Sequence, residues 1–599
     1  MTTLEITLGG HLLVSGNQAL DLGVDLATTR RLHEGREVPY IPATAIRGAV
    51  RIQLEALLAG IGQAEAGPYV LDDRPGTVAE DHSGMVAHLF GFSGRTGERT
   101  GSKEGCLRFG DGIPADPDRA LLALSVRPGL EMEDLTATAA DQKLFFRQVI
   151  ETLEEPLVFH ADLCLGGAGE EEVQRLRAAV ETTDSLGSGR ARGGGLIQIR
   201  WTEAEKSETS PGTKDSRDLP SATRARVDFT LVEPAHFGDG GPRGNHHATR
   251  TYIPGSTVRG ALAWALLRDG VLSEEAGFQQ LFVLPEQASF GDALCRLPAG
   301  RESGVAPVTR RKQRGGDRIS DILVTELARD RVNQAAARSG RYLRLDDSPL
   351  RFDPMDVRPA GNLIRRTRTR VSIDRHTGAA AESRLFSIEQ IDPWLPGESA
   401  GPVRFSARVE GLTPEAGRLL LRAAELPALI GAGRRHGLGK ARIEVYMEEE
   451  PDDREAVRNI LALADLVEAE TDRLAGRARV AGLAGGIATV PLALVALSDF
   501  VPAEAGRSHP LAELDPAPEP VRSFLSAGAV GGYDQLRQEG SLKDLVPAVG
   551  AGSVFVYSIH REGLEEWLRQ RLPRLRRGVG LCTESGCGRF GLFEPMAKE

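Results

Sequence analysis

With 599 residues the chain exceeds what one hydrophobic core supports, and roughly three or four domains are expected. Its 41% hydrophobic and 26% charged residues are globular proportions, and 69 glycines, against a usual share of about 7%, imply many tight loops. A net charge of −11 excludes a uniformly basic surface, and five cysteines without a CxxC pair exclude a zinc ribbon or a disulfide framework, which fits a reducing cytoplasm.

The first segment, "LEITLGGHLLVSG", alternates like a strand. It has no basic region ahead of an apolar core, so no signal peptide is expected. After a polar loop comes "YIPATAIRGAVRIQLEALLAG" from Tyr40, in which Ile46, Val50, Leu54 and Leu58 share one helical face. Pro42 keeps the chain extended ahead of the helix, and Thr44 is the expected cap. The segment closes on "SLGSGRARGGGLIQIRW", a glycine and arginine loop followed by a strand.

Residues Glu203 to Ala222 are rich in Ser, Pro, Lys and Asp, lack either apolar period and read as a linker. Beyond it the order repeats. "ARVDFTLVEPAHF" is a strand, "YIPGSTVRGALAWALL" from Tyr252 is a helix with Ser256 or Thr257 as cap, and "LIGAGRRHGLGKARIEV" is the loop and last strand. The two helical phrases align at an offset of 212, Arg47 with Arg259 and Gly48 with Gly260. Glycine costs stability inside a helix, so close approach of a backbone or a phosphate is expected at both. "DREAVRNILALADLVEAETDRLAG" reads as an acidic helical connector. The apolar run "VAGLAGGIATVPLALVALSDF" is broken by Gly and Pro, so no membrane span is expected. A third, weaker ending, "LRRGVGLCTESGCGRFGLFE", follows the strand-like "GSVFVYSI" and the helix "GLEEWLRQRL". Three endings imply three related folding units: residues 1–202, then 223–446 after the linker 203–222, and 481–599 after a connector at 447–480.

The loops admit two readings. Each is a glycine turn between helix and strand, or a cradle whose backbone N–H groups meet a phosphate beside Arg190, Arg192, Arg434, Arg435 and Lys440. Neither a Walker loop nor a dinucleotide fingerprint fits, because here the loop precedes a strand. Helix start and final loop are expected to meet on one surface suited to an RNA backbone, with Arg47, Arg51, Gly187, Gly189, Arg259, Gly431, Gly433 and His436 joining the residues above as the RNA-binding set. Between Arg301 and His376 there are 18 Lys or Arg against 10 Asp or Glu, a local excess of +8 inside an acidic chain.

The set "YIPATAIRGAV", "LFGFSG", "GCLRFGDGIP" and "GSGRARGGGLIQI" resembles the RAMP superfamily of CRISPR-associated proteins, most closely the backbone subunit of type III effector complexes. The second half, with "YIPGSTVRGALA", "LFVLPEQASFGDA" and "GAGRRHGLGKARIEV", is similar to the larger RAMP subunit of the type III-D branch, which caps the guide RNA's 5′ handle. The resemblance implies an α+β fold of tandem ferredoxin-like (RRM-like) domains. It implies guide RNA, target RNA, other RAMP backbone subunits and a large polymerase-like subunit as partners. It also implies an aspartate that cuts paired target RNA from the loop before the Ile-Pro helix, with Mg²⁺ as the inferred metal. Asp25, in "GVD", matches that position, and Asp21 is the nearby substitute. The second unit has Asp239 but no "GVD". It carries His236, His246 and His247, which opens guide processing by His246 or His247 as an alternative, beside a scaffold that cuts nothing.

Overall fold

The computed structural model describes residues 2–16, 24–62, 84–92, 103–132, 139–203, 223–239, 245–284, 288–296, 304–314, 319–338, 352–358, 362–373, 380–397, 401–450, 453–478, 489–504, 509–514, 518–534 and 541–596. Asp21 and residues 204–222 of the expected linker lie outside them.

Three antiparallel sheets share one strand order. In the first, Thr2–Leu8 lies between Ile197–Glu203 and Val158–Cys164, with the short strands Arg108–Phe109 and Ile113–Pro114 at the far edge. In the second, Arg224–Leu231 lies between Lys440–Glu448 and Arg404–Glu410, with Ser289–Phe290 and Leu294–Cys295 outside. In the third, Thr489–Ala496 lies between Phe590–Leu592 and Val554–His560, with Arg522–Phe524 outside. Numbered along each unit the order is fourth, first, third, second, the ferredoxin-like arrangement expected.

One face of each sheet is covered by two helices. Ala43–Gly60 buries Ile46, Val50, Leu54 and Leu58, the face read from their spacing, at about 1.5–3 kcal/mol for each large side chain. It pairs with Glu170–Glu181, as Gly255–Arg268 pairs with Pro414–Ala424. The third unit differs. Its partner for Leu564–Arg577 is Asp453–Ala478, which precedes the first strand of the sheet instead of following it. Ala456 and Ile460 enter one core with Val490 and Leu492, while Leu463 and Val467 enter another with Leu323 and Leu327 of Ile322–Arg338. The acidic connector is therefore part of the third unit's packing, its charges left on the face turned from both cores.

Three long hairpin arms, absent from the sequence reading, project from the sheets: Leu124–Met132 with Ala139–Ile150, Arg365–Ile373 with Ala380–Ile391, and Ala527–Asp534 with Ser541–Val549. An isolated hairpin is marginal in water, and these are held at the base. The same bridge recurs there: Leu12 with Ile150, Ala235 with Ile391, Phe500 with Val549.

The glycine loops repeat atom for atom. Leu186 N–H donates to Gly195 O, Ile430 to Gly439 and Val579 to Gly588, at 2.8, 2.8 and 3.0 Å. Left-handed backbone falls at Gly187, Gly189, Gly193 and Gly195, at Gly431, Gly433, Gly437 and Gly439, and at Gly580, Cys582, Gly586 and Gly588. Cys582, at φ 60°, stands where the other loops have glycine.

The entry helices are not capped by their own Thr or Ser. Pro42 and Pro254 occupy the cap positions with no side-chain hydrogen bond. The cap comes from the "FGD" phrase across the sheet edge. Asp111 Oδ1 accepts from Ala43 N–H at 2.8 Å and Asp292 Oδ1 from Gly255 N–H at 2.9 Å. The second oxygen of each takes an arginine, Arg31 at 3.0 Å and Arg358 at 2.7 Å. Those guanidiniums lie 5.7 Å from the ring centroid of Tyr40 and 4.0 Å from that of Tyr252, which explains the aromatic in both "YIP" phrases.

Cys582→Gly is expected to raise stability by about 0.5–1 kcal/mol, while Gly586→Ala, at φ 85° with its Cβ overlapping the Phe290 carbonyl oxygen, lowers it by about 2 kcal/mol or more; scanning calorimetry of both variants checks the pair. Asp111→Ala strands the buried Arg31 and is expected to cost about 3–5 kcal/mol in a denaturant titration at neutral pH. Burial pushes the Asp111 carboxyl up to about 6 against the pull of Arg31. The folded protein then holds a proton that the unfolded chain releases between about pH 4 and 6, so this group's contribution to stability falls as pH rises through that window, a slope the variant loses.

A candidate nucleic-acid interface at the joint of the first two units

Helix start and glycine loop do meet, but between units and not within one. The second unit's loop sits on the first unit's entry helix. A Cβ on Gly437 would lie 2.6 Å from Ala43 Cβ and 2.9 Å from Asp111 Oδ1. Arg108 donates through Nε to Arg434 O at 2.8 Å and pairs with Glu233, and Lys440 Nζ pairs with Asp162. His436 bridges to Phe109. Gly431 and Gly433 shape this loop with left-handed backbone, so its glycines serve a protein contact.

The second arm brings the charge. In the strand Arg365–Ile373 successive side chains alternate, which puts Arg366, Arg368 and Arg370 on one face, toward the first unit. Arg366 is neutralised by Asp392 at 2.6 Å and Glu37 at 2.8 Å. Arg368 lies 4.7 Å from the centroid of the Tyr40 ring, and its Nη2 and that of Arg370 are shielded from solvent without a hydrogen-bond partner among the described residues. Burial, then Arg370 and Arg31, pushes the Arg368 guanidinium down to about 9, and burial also lowers Arg370. His436 is pushed down to about 3 by burial and then by Arg47, Arg370 and Arg435, so it stays neutral at any working pH. The nearby carboxylates Asp111 and Asp392 are already engaged by Arg31 and Arg366. The joint thus gathers more partly buried positive charge than the described residues compensate, which an anion would relieve.

Several sequence-predicted residues are used otherwise. Arg47 donates to Phe90 O and Arg259 to Phe282 O, each tying the entry helix to the segment before the "FGD" phrase. Arg51 pairs with Glu55 at 2.9 Å and packs on Phe90. A Cβ at Gly48 or Gly260 would meet nothing within 4 Å, so no part of the described chain closes on either glycine. Arg190 and Arg192 are exposed on the first loop, with Gly187 and Gly189 supplying its left-handed turns. Much of the basic stretch is paired internally, as in Arg310 with Asp321 and Arg314 with Asp353.

Asp25 is exposed at the base of the first arm, where its Oδ2 accepts from Phe146 N–H at 2.6 Å. The strand register identifies its counterpart. Leu26 bridges Arg147 in parallel as His247 bridges Ile388, so His246, not Asp239, holds the place of Asp25. Its Nδ1 lies 2.9 Å from Ser387 Oγ. His236 Nδ1–H donates to Glu389 O at 2.6 Å, and burial lowers its pKa. No group of three or more His, Cys, Asp or Glu able to hold a metal occurs among the described residues, and no described helix is long and apolar enough to cross a membrane. Arg31 and Asp111 carry no local signal in the sequence, while Arg368 and Arg370 fall in the basic stretch Arg301 to His376 without standing out individually; alternation in "RRTRTR" signals one arginine face, but nothing local says what it faces.

Two chains of solved structures are similar in part. One belongs to the Type III-B Cmr-beta bound to cognate target RNA and AMPPnP, the other to the Type III-B Cmr-beta bound to cognate target RNA. Each is 12% identical and covers 58% of this chain and 89% of the other, with TM-scores of 0.31 and 0.28. No curated protein matches. A family model described as the RAMP superfamily matches residues 22–198 and 228–442, well over half of the sequence and both copies of the Asp-capped entry helix with its closing glycine loop, and the chain belongs to that superfamily.

Proposed function

We propose that this chain is an RNA-binding subunit of a type III CRISPR effector complex. Its first unit is of the backbone type and lies along guide RNA, and its second and third units hold the guide's 5′ handle, with other RAMP subunits and a large polymerase-like subunit as neighbours. The observation that carries RNA binding is the pair Arg368 and Arg370, half-buried at the joint with Nη2 atoms that are closed off from solvent and meet no hydrogen-bond partner among the described residues. Burying cations without partners is costly, and a phosphate backbone supplies the missing acceptors. Family membership supports the same reading.

A protein that tolerates such charge for its ligand is more stable without it. Arg368→Met, which keeps a long apolar stem over Tyr40, is expected to leave the melting temperature of the RNA-free protein unchanged or higher while weakening guide RNA binding about tenfold or more and lowering the salt slope by about 1. Filter binding across a salt series, beside a melt, reads both. If affinity and slope match wild type, RNA does not use this joint.

Target cutting is assigned to Asp25. Its carboxylate would orient the ribose 2′-OH of the target and accept its proton as that oxygen attacks the neighbouring phosphorus and the 5′ oxygen leaves. The donor set fits Mg²⁺ only as a single carboxylate contact, with water and phosphate completing the sphere, as is usual for this ion. Bound there, it would stabilise charge developing on the phosphate. The bond from Phe146 N–H to Oδ2 favours a second reading, in which Asp25 only holds the arm and the chain is a scaffold. Asp25→Asn keeps that acceptor and removes the charge. Loss of one target cut in the reconstituted complex, with target binding intact, supports catalysis; an unchanged cut pattern makes the residue structural.

A further inference from the structure

Among the described residues two of the three glycine loops sit on a neighbouring unit and the first has no occupant. The second loop covers the first entry helix, as described above. The third covers the second: Gly586 packs on Phe290 O, Ser289 Oγ donates to Thr583 O at 3.0 Å, Arg589 Nη1 donates to Arg408 O at 3.0 Å and Arg589 Nη2 approaches Glu410 at 3.3 Å. The two joints are register copies. Arg108 and Ser289 reach the carbonyl at the same loop position, and Lys440 and Arg589 both directly follow the last glycine and cross to the neighbouring unit.

The first loop has the same backbone frame and no occupant among the described residues. Gly193 is exposed where Gly437 and Gly586 are buried, and a Cβ on Gly189 or Gly193 would meet nothing within 4 Å. Leu196, at the position of Lys440 and Arg589, is 52% exposed. We propose that Leu186–Leu196 is a docking face for the Asp-capped start of an entry helix on a separate RAMP chain. The small residue at the first helical position, Ala43 or Gly255 in the internal joints, is what such a partner must share, because the loop packs directly against it, Gly437 on Ala43 and the Ser585 carbonyl on Gly255. The exposed leucine, in place of the Lys or Arg of the internal joints, calls for an apolar seat on the partner where Asp162 meets Lys440.

A second copy of this chain does not qualify. Both of its entry helix starts are already covered, and the third unit offers none among the described residues, since its helix Asp453–Ala478 comes before the sheet and only the short turn Pro510–Glu513 follows the first strand. A head-to-tail contact that does not close by symmetry extends into a row. This chain ends such a row at its third unit and leaves one place for growth, at its first. The inference rests on the reading of the chain as one member of a multisubunit complex.

The test uses the full chain and a purified, separately encoded RAMP protein that has an Ile-Pro entry helix and an "FGD" cap. By sedimentation velocity the chain alone is expected to be monomeric at tens of micromolar and to form a 1:1 complex with that protein. Leu196→Glu, which keeps an unchanged melt, and Gly193→Trp, whose left-handed backbone lowers the melt slightly, should each weaken the complex about tenfold or more. A photo-cross-linker at position 192 should map to the first turn of the partner's entry helix. Self-association through the loop, equal binding by both variants, a cross-link elsewhere or no complex at all would overturn the proposal. Guide RNA titrated into the same samples separates the two readings: loss of RNA binding by wild type sinks the RNA assignment, while the cross-link decides the docking face.

Discussion

A single carboxylate geometry organises each joint. Asp111 and Asp292 each use one oxygen to cap a helix whose first residues follow a proline, and the other to hold an arginine laid on the tyrosine of the same "YIP" phrase. A capped, charge-matched helix start is a surface on which a glycine loop can close, because no side chain of the loop intervenes. Were the cap a Thr on the helix itself, the helix would still form, but the strand edge, the arginine and the neighbouring unit would not be tied to one point. Stability of the helix and attachment of the next unit therefore depend on the same few atoms.

Upon that joint the structure places an uncompensated charge. Arg31 and Arg366 have carboxylate partners, while among the described residues Arg368 and Arg370 have none at their inner nitrogens. The arm that carries them is anchored by its base to the second sheet and lies against the first unit's Tyr40, so it spans the two units. A polyanion bound here would contact both units at once and stabilise their relative placement, which links RNA binding to the rigidity of the row.

The third unit shows how one topology is closed off. Moving the helix that covers the sheet from after the first strand to before it preserves the packing, since Ala456 and Ile460 fill the core as an entry helix would. It also removes the Ile-Pro start, and with it the surface on which another loop could sit. Cys582 in a left-handed position belongs to the same unit, whose loop keeps the backbone path after losing one of the glycines that ease it.

Much was legible in the sequence because it depends on local chemistry. The helical face Ile46, Val50, Leu54 and Leu58, the strand alternation and the positive-φ glycines are dictated by short-range sterics and periodicity, and the repeat itself was visible at an offset of 212. The three hairpin arms, the capping aspartates and the arginine pair were decided by tertiary structure. Asp111 lies 68 residues from the helix it caps, and Arg368 meets Tyr40 from another unit. The counterpart of Asp25 illustrates the limit: the second unit's sequence offers Asp239 without a "GVD" and so identifies no counterpart, whereas strand register assigns His246. Spacing along a chain specifies which face of an element a residue occupies; only the fold brings that face against its partner, and the chemistry of this protein resides in those long-range meetings.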